Sequence, residues 1–137
     1  MKQLTDADIA SILRGAKNIA VVGASDNPYR DSYIIMNFLV ERGYKIFPVN
    51  PKYKSILNIT CHPTLLDVTE KIDIVDIFRR PEDVHLVVEE AVRIHSKTIW
   101  MQLGAFSEDA SRRAAEAGLN VISHRCIKVD YLSLIGN

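Results

Sequence analysis

The sequence predicts an α/β fold of Rossmann-like type, in which a doubly wound, mostly parallel sheet of five or six strands carries helices on both faces. The run at residues 18–22, NIAVV, is apolar at every position but the first, a pattern typical of a strand that is covered on both faces. A run with apolar side chains at intervals of three and four follows at 32–42, and Gly43 is placed to end that helix. Such alternation of strands and helices is typical of right-handed βαβ units with a parallel sheet.

The same kinds of signal predict the other elements. Thr5 and Asp8 form a capping-box pattern, which predicts a short N-terminal helix. Pro48 cannot donate a ladder hydrogen bond, so the strand around it lies near the edge of the sheet or has an interruption in its pairing. Apolar runs and Gly, Pro and Ser positions predict strands at 45–50, 59–61, 73–78, 98–101 and 119–122, a turn of helix after Pro63, and helices that begin near Pro81 and Ser107.

Length and composition indicate one globular domain, expected to span residues 1–137. Apolar residues make up 47% of the chain and charged residues 25%, which is ordinary for a packed domain of this size. Lys plus Arg and Asp plus Glu number 17 each, so no overall field attracts nucleic acid or an acidic membrane surface. The N-terminus lacks a signal-peptide pattern and no apolar stretch is long enough to span a membrane, so we expect a cytoplasmic protein.

The loop after the first strand is a candidate phosphate-binding site. It leads into the start of a helix, where free backbone N–H groups and the helix dipole favour an anion. Gly23 allows the backbone to turn and to approach a phosphate closely. Ser25 and Ser32 can donate hydroxyls, and Arg30 can neutralise charge. The GxGxxG pattern is absent, so an ordinary structural turn is the alternative interpretation.

The end of the second strand bears on the type of nucleotide. A site for NAD would place Asp or Glu there to hold the ribose 2′-hydroxyl, whereas this sequence has Asn50-Pro51-Lys52-Tyr53-Lys54. This basic cluster is compatible with a phosphorylated ribose, as in coenzyme A or NADP. Two solvated lysines in an exposed loop are the alternative interpretation.

Two later strands also end in candidate binding residues. Phe78 is placed to pack on an adenine or pantetheine group, or to be an ordinary core aromatic. Arg79 and Arg80 follow it at a helix start, where they favour an anion site over ion pairs with the acidic residues nearby. Gln102 brings a neutral amide to the end of a further strand, which suits an amide or a purine edge and not proton transfer.

Metal-binding and catalytic patterns are not evident. Cys61 and Cys126 lie far apart without a CxxC motif, and we interpret both as free thiols. The four histidines are scattered, with no spacing typical of a metal site. His124 and Arg125 beside Cys126 are compatible with a reactive thiolate, although an inert thiol is the favoured interpretation. We therefore predict no catalytic residue and no metal ligand.

Several short motifs, taken in their order along the chain, carry a family resemblance. They are Val22-Gly23-Ala24-Ser25 with Pro28 and Arg30, Pro48-Val49-Asn50-Pro51, Asp76-Ile77-Phe78-Arg79, Trp100-Met101-Gln102-Leu103-Gly104 and Arg125-Cys126. From about Asp8 to Cys126 the sequence resembles the CoA-binding domain family of small bacterial and archaeal proteins. It is similar, more distantly, to the nucleotide-binding domain of the succinyl-CoA synthetase α subunit.

The resemblance implies a Rossmann-like fold that binds coenzyme A or an acyl-CoA. The contacts it implies are Gly23, Ala24, Ser25 and Arg30 for the phosphates, Pro51 and Lys52 for the adenosine end, and Phe78, Arg79 and Val84 for the adenine or pantetheine path. The sequence departs from the family at Leu57-Asn58, where glycine is common. Since Asn tolerates the left-handed conformation, we still expect a turn there.

The function we expect is that of a module that holds CoA or an acyl-CoA without turnover. Synthetases of the resembling kind carry a phosphohistidine in a second domain and use an ATP-grasp partner, and 137 residues have room for neither. One alternative is an NADP-dependent oxidoreductase, which would need a Tyr or Lys proton donor that the sequence does not make evident. Another is a regulatory module with a vestigial cleft. Apolar residues at 131–135 suggest a homodimer contact.

Overall fold

The computed structural model describes residues 3–136; Met1, Lys2 and Asn137, at the ends of the predicted domain, lie outside the described residues. The helices are α1 Asp6–Gly15, α2 Asp31–Glu41, α3 Val84–Arg93, α4 Glu108–Glu116 and α5 Ile127–Leu134, with short 3₁₀ turns at Leu65–Asp67 and Pro81–Asp83. The strands are β1 Asn18–Val22, β2 Lys45–Val49, β3 Ser55–Ile56, β4 Ile59–Thr60, β5 Ile74–Ile77, β6 Thr98–Met101 and β7 Asn120–Ser123. No helix within 3–136 is long and apolar enough to cross a membrane.

The main sheet has five parallel strands in the order β2-β1-β5-β6-β7. Chain order reverses between β1 and β5, which confirms the predicted doubly wound, Rossmann-like fold. The edge position that Pro48 suggested for β2 is also confirmed. Pro48 lies opposite Val21 of β1 in the strand register, and its carbonyl accepts a hydrogen bond of 2.9 Å from the His62 N–H on the outer side.

Two apolar clusters cover the two faces of the sheet. One contains the predicted stripe of α3, which includes Val84 and Val88, together with alanines of α4. The other contains apolar side chains of α1, α2 and α5, and the fully buried Trp100 of β6. Because successive strand residues point to opposite faces, burial on both sides explains the uninterrupted apolar runs in the sequence.

Local sequence signals are confirmed at helix starts and at one turn. Thr5 and Asp8 form the capping box of α1, with hydrogen bonds of 2.9 and 3.1 Å, and Ser107 caps α4. Leu57 and Asn58 have φ angles of 53° and 60° in the two-residue turn that joins β3 and β4. This is the backbone of a type I′ hairpin turn, which forms here without glycine.

Helix α5 accounts for the C-terminal residues that the sequence pattern did not place. Tyr131, Leu134 and Ile135 pack against the cluster of α1 and α2, and are partly buried. Val129 and Leu132 remain exposed. The suggested homodimer contact at 131–135 thus keeps only part of its apolar surface for a partner, and it stays a prediction.

Strand β5 carries a carboxyl group into the interior of the protein. Asp76 is completely buried, and it lies between Val21 of β1 and Trp100 of β6 in the strand register. Neither of its carboxyl oxygens has a hydrogen-bond partner among the described residues. Burial penalises the charged form and raises the pKa of Asp76 well above its ordinary value. The folded state therefore favours the protonated acid.

We expect Asp76→Asn to remove a pH dependence of stability. The folded protein keeps a proton on Asp76 that the unfolded chain releases, so the unfolding free energy falls as the pH rises above about 4. The loss is about 1.4 kcal/mol per pH unit, up to the raised pKa of the folded state. Urea unfolding at a series of pH values measures this slope. The exposed Asp26→Asn is the control that should keep it, and an unchanged slope in Asp76→Asn would contradict the assignment.

Candidate functional site

A cleft of about 760 Å³ lies at the carboxyl ends of the strands, beside the point where strand order reverses. This is where ligands bind in open parallel sheets. Its walls come from the loops that follow β1, β2, β5 and β6. The lining residues are Gly23, Ala24, Ser25, Tyr29, Arg30, Asp31, Ser32, Asn50, Lys52, Tyr53, Phe78, Arg79, Arg80, Pro81, Leu103, Gly104 and Ala105.

Gly23 brings the β1–α2 loop against the end of β5. It has a φ angle of +89°, and a Cβ atom at this position would overlap the carbonyl oxygen of Phe78. The side-chain stem of Arg79 lies on the same side, 3.1 Å from that Cβ position. Glycine is therefore required here both by the backbone conformation and by the close approach of two chain segments.

The rest of the β1–α2 loop leaves the start of α2 open to the cleft. Within the loop, the Asn27 N–H donates to Ser25 Oγ at 3.1 Å, and the Tyr29 N–H donates to Asn27 Oδ1 at 3.0 Å. Arg30 stands at the N-cap position of α2 and makes no side-chain hydrogen bond to the first turn. Ser32 of that turn is buried yet lines the cleft. A helix start without a capping side chain favours an anion.

Asn50 connects the two loops that form one end of the cleft. Its Nδ2 donates to the Ala24 carbonyl at 2.8 Å, and its Oδ1 accepts from the Lys52 N–H at 2.9 Å. Its own carbonyl accepts a hydrogen bond of 3.5 Å from Cys61 Sγ. Burial is the largest influence on the Cys61 thiol and raises its pKa. One side chain thus fixes the β1–α2 loop relative to the basic segment after β2.

The cleft has more cationic than anionic side chains. Arg79 and Arg80 share the carboxylate of Asp83, at 3.6 and 3.1 Å. The hydrogen bond from Arg80 is the largest influence on the pKa of Asp83, and lowers it. Arg30 and Lys52 form no ion pair within residues 3–136. Both arginines at positions 79 and 80 pair with Asp83 and line the cleft, and the expectation that an anion binds there stays a prediction.

Most of the predicted site residues lie on the cleft surface. They are Gly23, Ala24, Ser25, Arg30, Ser32, Lys52, Phe78 and Arg79. Arg80, expected beside Arg79 at an anion site, also lines the cleft, whereas the sequence did not single out Tyr29, Asp31, Asn50, Tyr53, Pro81, Leu103, Gly104 and Ala105 as ligand contacts. The available signal was position, since each stands within a few residues of a strand's carboxyl end or at the start of α2.

Three predicted residues do not line the cleft surface, and their role as ligand contacts stays a prediction. Val84 is fully buried in the apolar cluster under α3. Gln102 is 4% exposed, and its Oε1 accepts a hydrogen bond of 3.0 Å from the Ile127 N–H at the start of α5. Its amide holds two parts of the fold together. Pro51 is exposed on the loop beside Lys52 but does not line the cleft.

Arg125, next to Cys126 in the sequence, makes contacts within the fold. Arg125 pairs with Asp130 at 2.7 Å and with Asp6 at 2.8 Å, so its charge is already compensated by two carboxylates. The Trp100 Nε1–H donates to the Arg125 carbonyl at 3.0 Å. Both cysteines are free. Within residues 3–136 no group of three or more His, Cys, Asp or Glu side chains is arranged to hold a metal ion.

The sequence made no Tyr or Lys proton donor evident, and the structure places two tyrosines in the lining of the cleft. Tyr29 and Tyr53 both line the cleft beside Lys52. Tyr29 is 90% exposed at the rim, and the ammonium of Lys52 lies 5.7 Å from the centre of the Tyr53 ring. Two aromatic faces are therefore available to a flat group such as a purine.

Comparison with known proteins gives the same assignment at the level of the family. The sequence model of the CoA binding domain matches residues 17–131. The uncharacterized protein YneT of Bacillus subtilis (strain 168) is 38% identical over 129 residues, which is 94% of this chain and 96% of that protein. A hypothetical protein from Pyrococcus horikoshii OT3 has a structure with a TM-score of 0.95 and 41% identity, covering 99% of this chain and 100% of that one.

A larger enzyme contains a related segment. The ADP-forming acetate–CoA ligase of Methanocaldococcus jannaschii is 36% identical over 92 residues, which is 67% of this chain and only 13% of the ligase. The likeness to the ligase therefore concerns one part of that enzyme, whereas the family model matches most of the chain. The chain belongs to the CoA-binding domain family.

Proposed function

We propose that this protein binds coenzyme A or an acyl-CoA in the cleft at the carboxyl ends of the sheet, and that it does so without catalysing a reaction. The observation that carries the proposal is the start of α2, which has no capping side-chain hydrogen bond and lines the same cleft as Gly23 and the arginines at 30, 79 and 80. Backbone N–H groups and guanidinium groups are the donors that bind phosphate most effectively. The family to which the chain belongs supports CoA as the phosphate-bearing ligand.

The cleft offers suitable partners for the diphosphate of CoA. Gly23 lines the cleft with backbone atoms alone, and Ser25 and Ser32 offer hydroxyl groups in the same lining. Arg30 is free of ion pairs within the described residues, so no existing contact opposes its turn towards a phosphate. Arg79 forms an ion pair with Asp83, whose carboxylate it shares with Arg80, and the Nη2–Oδ2 distance is 3.6 Å. A surface ion pair of this kind is weak.

The nucleoside end of CoA is best placed beside the loop after β2. Lys52 is exposed and has no acidic partner within residues 3–136, so its ammonium is available to a phosphorylated ribose. Tyr53 and Phe78 present half-buried rings to the cleft, which suit an adenine face. No carboxylate stands at the end of β2 to hold an unphosphorylated 2′-hydroxyl.

The absence of turnover is proposed from the chemistry of the lining. Apart from the arginines, the ionisable groups there are Asp31, Lys52 and two tyrosines, and no histidine or cysteine reaches the cleft surface among the described residues. Asp76, two residues before Phe78 in the chain, is completely buried and does not line the cleft. This set suits holding a ligand and does not form a nucleophile–base pair.

Binding of NADP is the second candidate. It is favoured by the same basic loop, since Lys52 could also accept a 2′-phosphate, and by the tyrosines that the structure places in the cleft. The family assignment favours CoA. NADP contains a nicotinamide ring, whose reduced form absorbs light, and CoA contains none. Calorimetric titration with each ligand in turn shows which of the two binds.

Isothermal titration with CoA, NADP and NAD tests the proposal. We expect micromolar binding of CoA and no heat with either nicotinamide nucleotide. Arg30→Ala should weaken CoA binding by about 1.5–3 kcal/mol, the loss expected for one charge-assisted hydrogen bond. Arg14→Ala is the control, because Arg14 lies in the last turn of α1, away from the cleft. No heat with CoA, in protein shown to be free of bound ligand, would refute the proposal.

Asn50→Ala should weaken both the fold and CoA binding. The change removes the contacts to Ala24 and Lys52, and we expect a loss of about 1–3 kcal/mol in the unfolding free energy, together with reduced affinity for CoA. Denaturant unfolding and calorimetry measure the two effects. Asn37→Ala is the matched control, since Asn37 bonds only to the exposed Glu41 on α2 and should change stability by less than about 0.5 kcal/mol. Equal effects of the two substitutions would exclude a positioning role for Asn50.

A further inference from the structure

Charge is distributed unevenly along the cleft. The loops after β1, β2 and β5 contribute Arg30, Lys52, Arg79 and Arg80, and the start of α2 contributes one acid, Asp31. The loop after β6 contributes Leu103, Gly104 and Ala105, which carry no charge. In the sheet, β6 lies on the far side of β5 from β1 and β2, so the uncharged loop forms one end of the cleft.

This distribution matches the chemistry of CoA in one direction only. CoA has its phosphates at the nucleotide end and a neutral pantetheine arm that ends in the thiol. With the nucleotide at β2 and β1, the arm crosses β5 and its thiol end reaches the loop after β6. Three strand spacings separate β2 from β6, about 14 Å, which an extended arm can span.

Leu103 makes that end of the cleft apolar. It is 66% exposed although it directly follows a fully buried strand and a buried glutamine. Single exposed apolar residues are common on protein surfaces, but this one borders the cleft where its charged lining ends. Gly104 beside it has a φ angle of +86° and open space on its Cβ side, and it lines the cleft together with Leu103.

The residues that follow Leu103 carry no charge until the start of α4. The Phe106 ring packs against the His124 ring, with centroids 4.2 Å apart, and Ala105 is buried. The first charged residues after Leu103 are Glu108 and Asp109, both acidic and at the start of α4. A carboxylate at the end of an acyl group would find no cation in this loop.

We propose that the β6 end of the cleft receives the apolar acyl group of an acyl-CoA thioester, so that the protein binds such thioesters more tightly than free CoA or a carboxylated acyl-CoA. This inference rests on the proposed function, because it takes the nucleotide to occupy the cationic part of the cleft. The acyl chain lies against Leu103 and removes apolar surface of both groups from water.

Calorimetric titration with CoA, hexanoyl-CoA and succinyl-CoA tests this. We expect hexanoyl-CoA to bind about tenfold more tightly than CoA, a difference of about 1.4 kcal/mol, and succinyl-CoA to bind no more tightly than CoA. Leu103→Ser should reduce the hexanoyl preference to about twofold. Leu86→Ser is the matched control, since Leu86 is 57% exposed on α3 and does not line the cleft; it should keep the tenfold preference.

The outcomes separate this inference from the proposed function. If CoA binds but hexanoyl-CoA binds no more tightly, the acyl site is refuted and the proposed function stands. The same holds if Leu103→Ser keeps the full preference, or if succinyl-CoA gains as much as hexanoyl-CoA. If neither CoA nor either of the two thioesters binds, the proposed function fails and the acyl site fails with it.

Discussion

The cleft depends on the close approach of the β1–α2 loop to the end of β5 at Gly23. The Gly23 N–H donates to the Val49 carbonyl at 3.0 Å, and the Phe78 N–H donates to the Val22 carbonyl at 2.8 Å, so residue 23 is held between two neighbouring strands. The Phe78 carbonyl occupies the space where a side chain would begin. Any larger residue would push the loop away from β5 and separate the start of α2 from Arg79.

The remaining contacts hold the groups of the cleft in place before a ligand arrives. Asn50 fixes the loops after β1 and β2 relative to each other, whereas the side chains of the arginines after β5 have only ion pairs with Asp83 within residues 3–136, at 3.6 and 3.1 Å. Because Asn50 already orders the two loops, less conformational entropy is lost on binding. The sheet beneath is buried on both faces, which gives the loops a rigid base. Within the described residues, this burial leaves both carboxyl oxygens of Asp76 in β5 without a hydrogen-bond partner, which costs free energy of folding.

Sequence patterns predicted the fold well because its signals are local. Apolar runs, the Thr5 capping box and Pro48 each depend on a few adjacent residues, and each is confirmed. Side-chain direction at the strand ends depends on tertiary packing instead. Gln102 and Val84 stand where cleft residues are expected, yet one points to α5 and the other to the sheet. The role of Asn50 depends on a partner 26 residues away in the chain, which no local pattern reveals.

Amide chemical-shift mapping with CoA tests the location of the site most directly. At saturation we expect the largest changes at Gly23, Ser25, Lys52 and Gly104, which line the cleft. Gly15 and Gly43 lie near the amino ends of the strands, at the opposite edge of the sheet, and their amide signals should stay unchanged. Changes confined to Gly15 and Gly43, or no change at any of these amides, would contradict the assignment of the cleft as the CoA site.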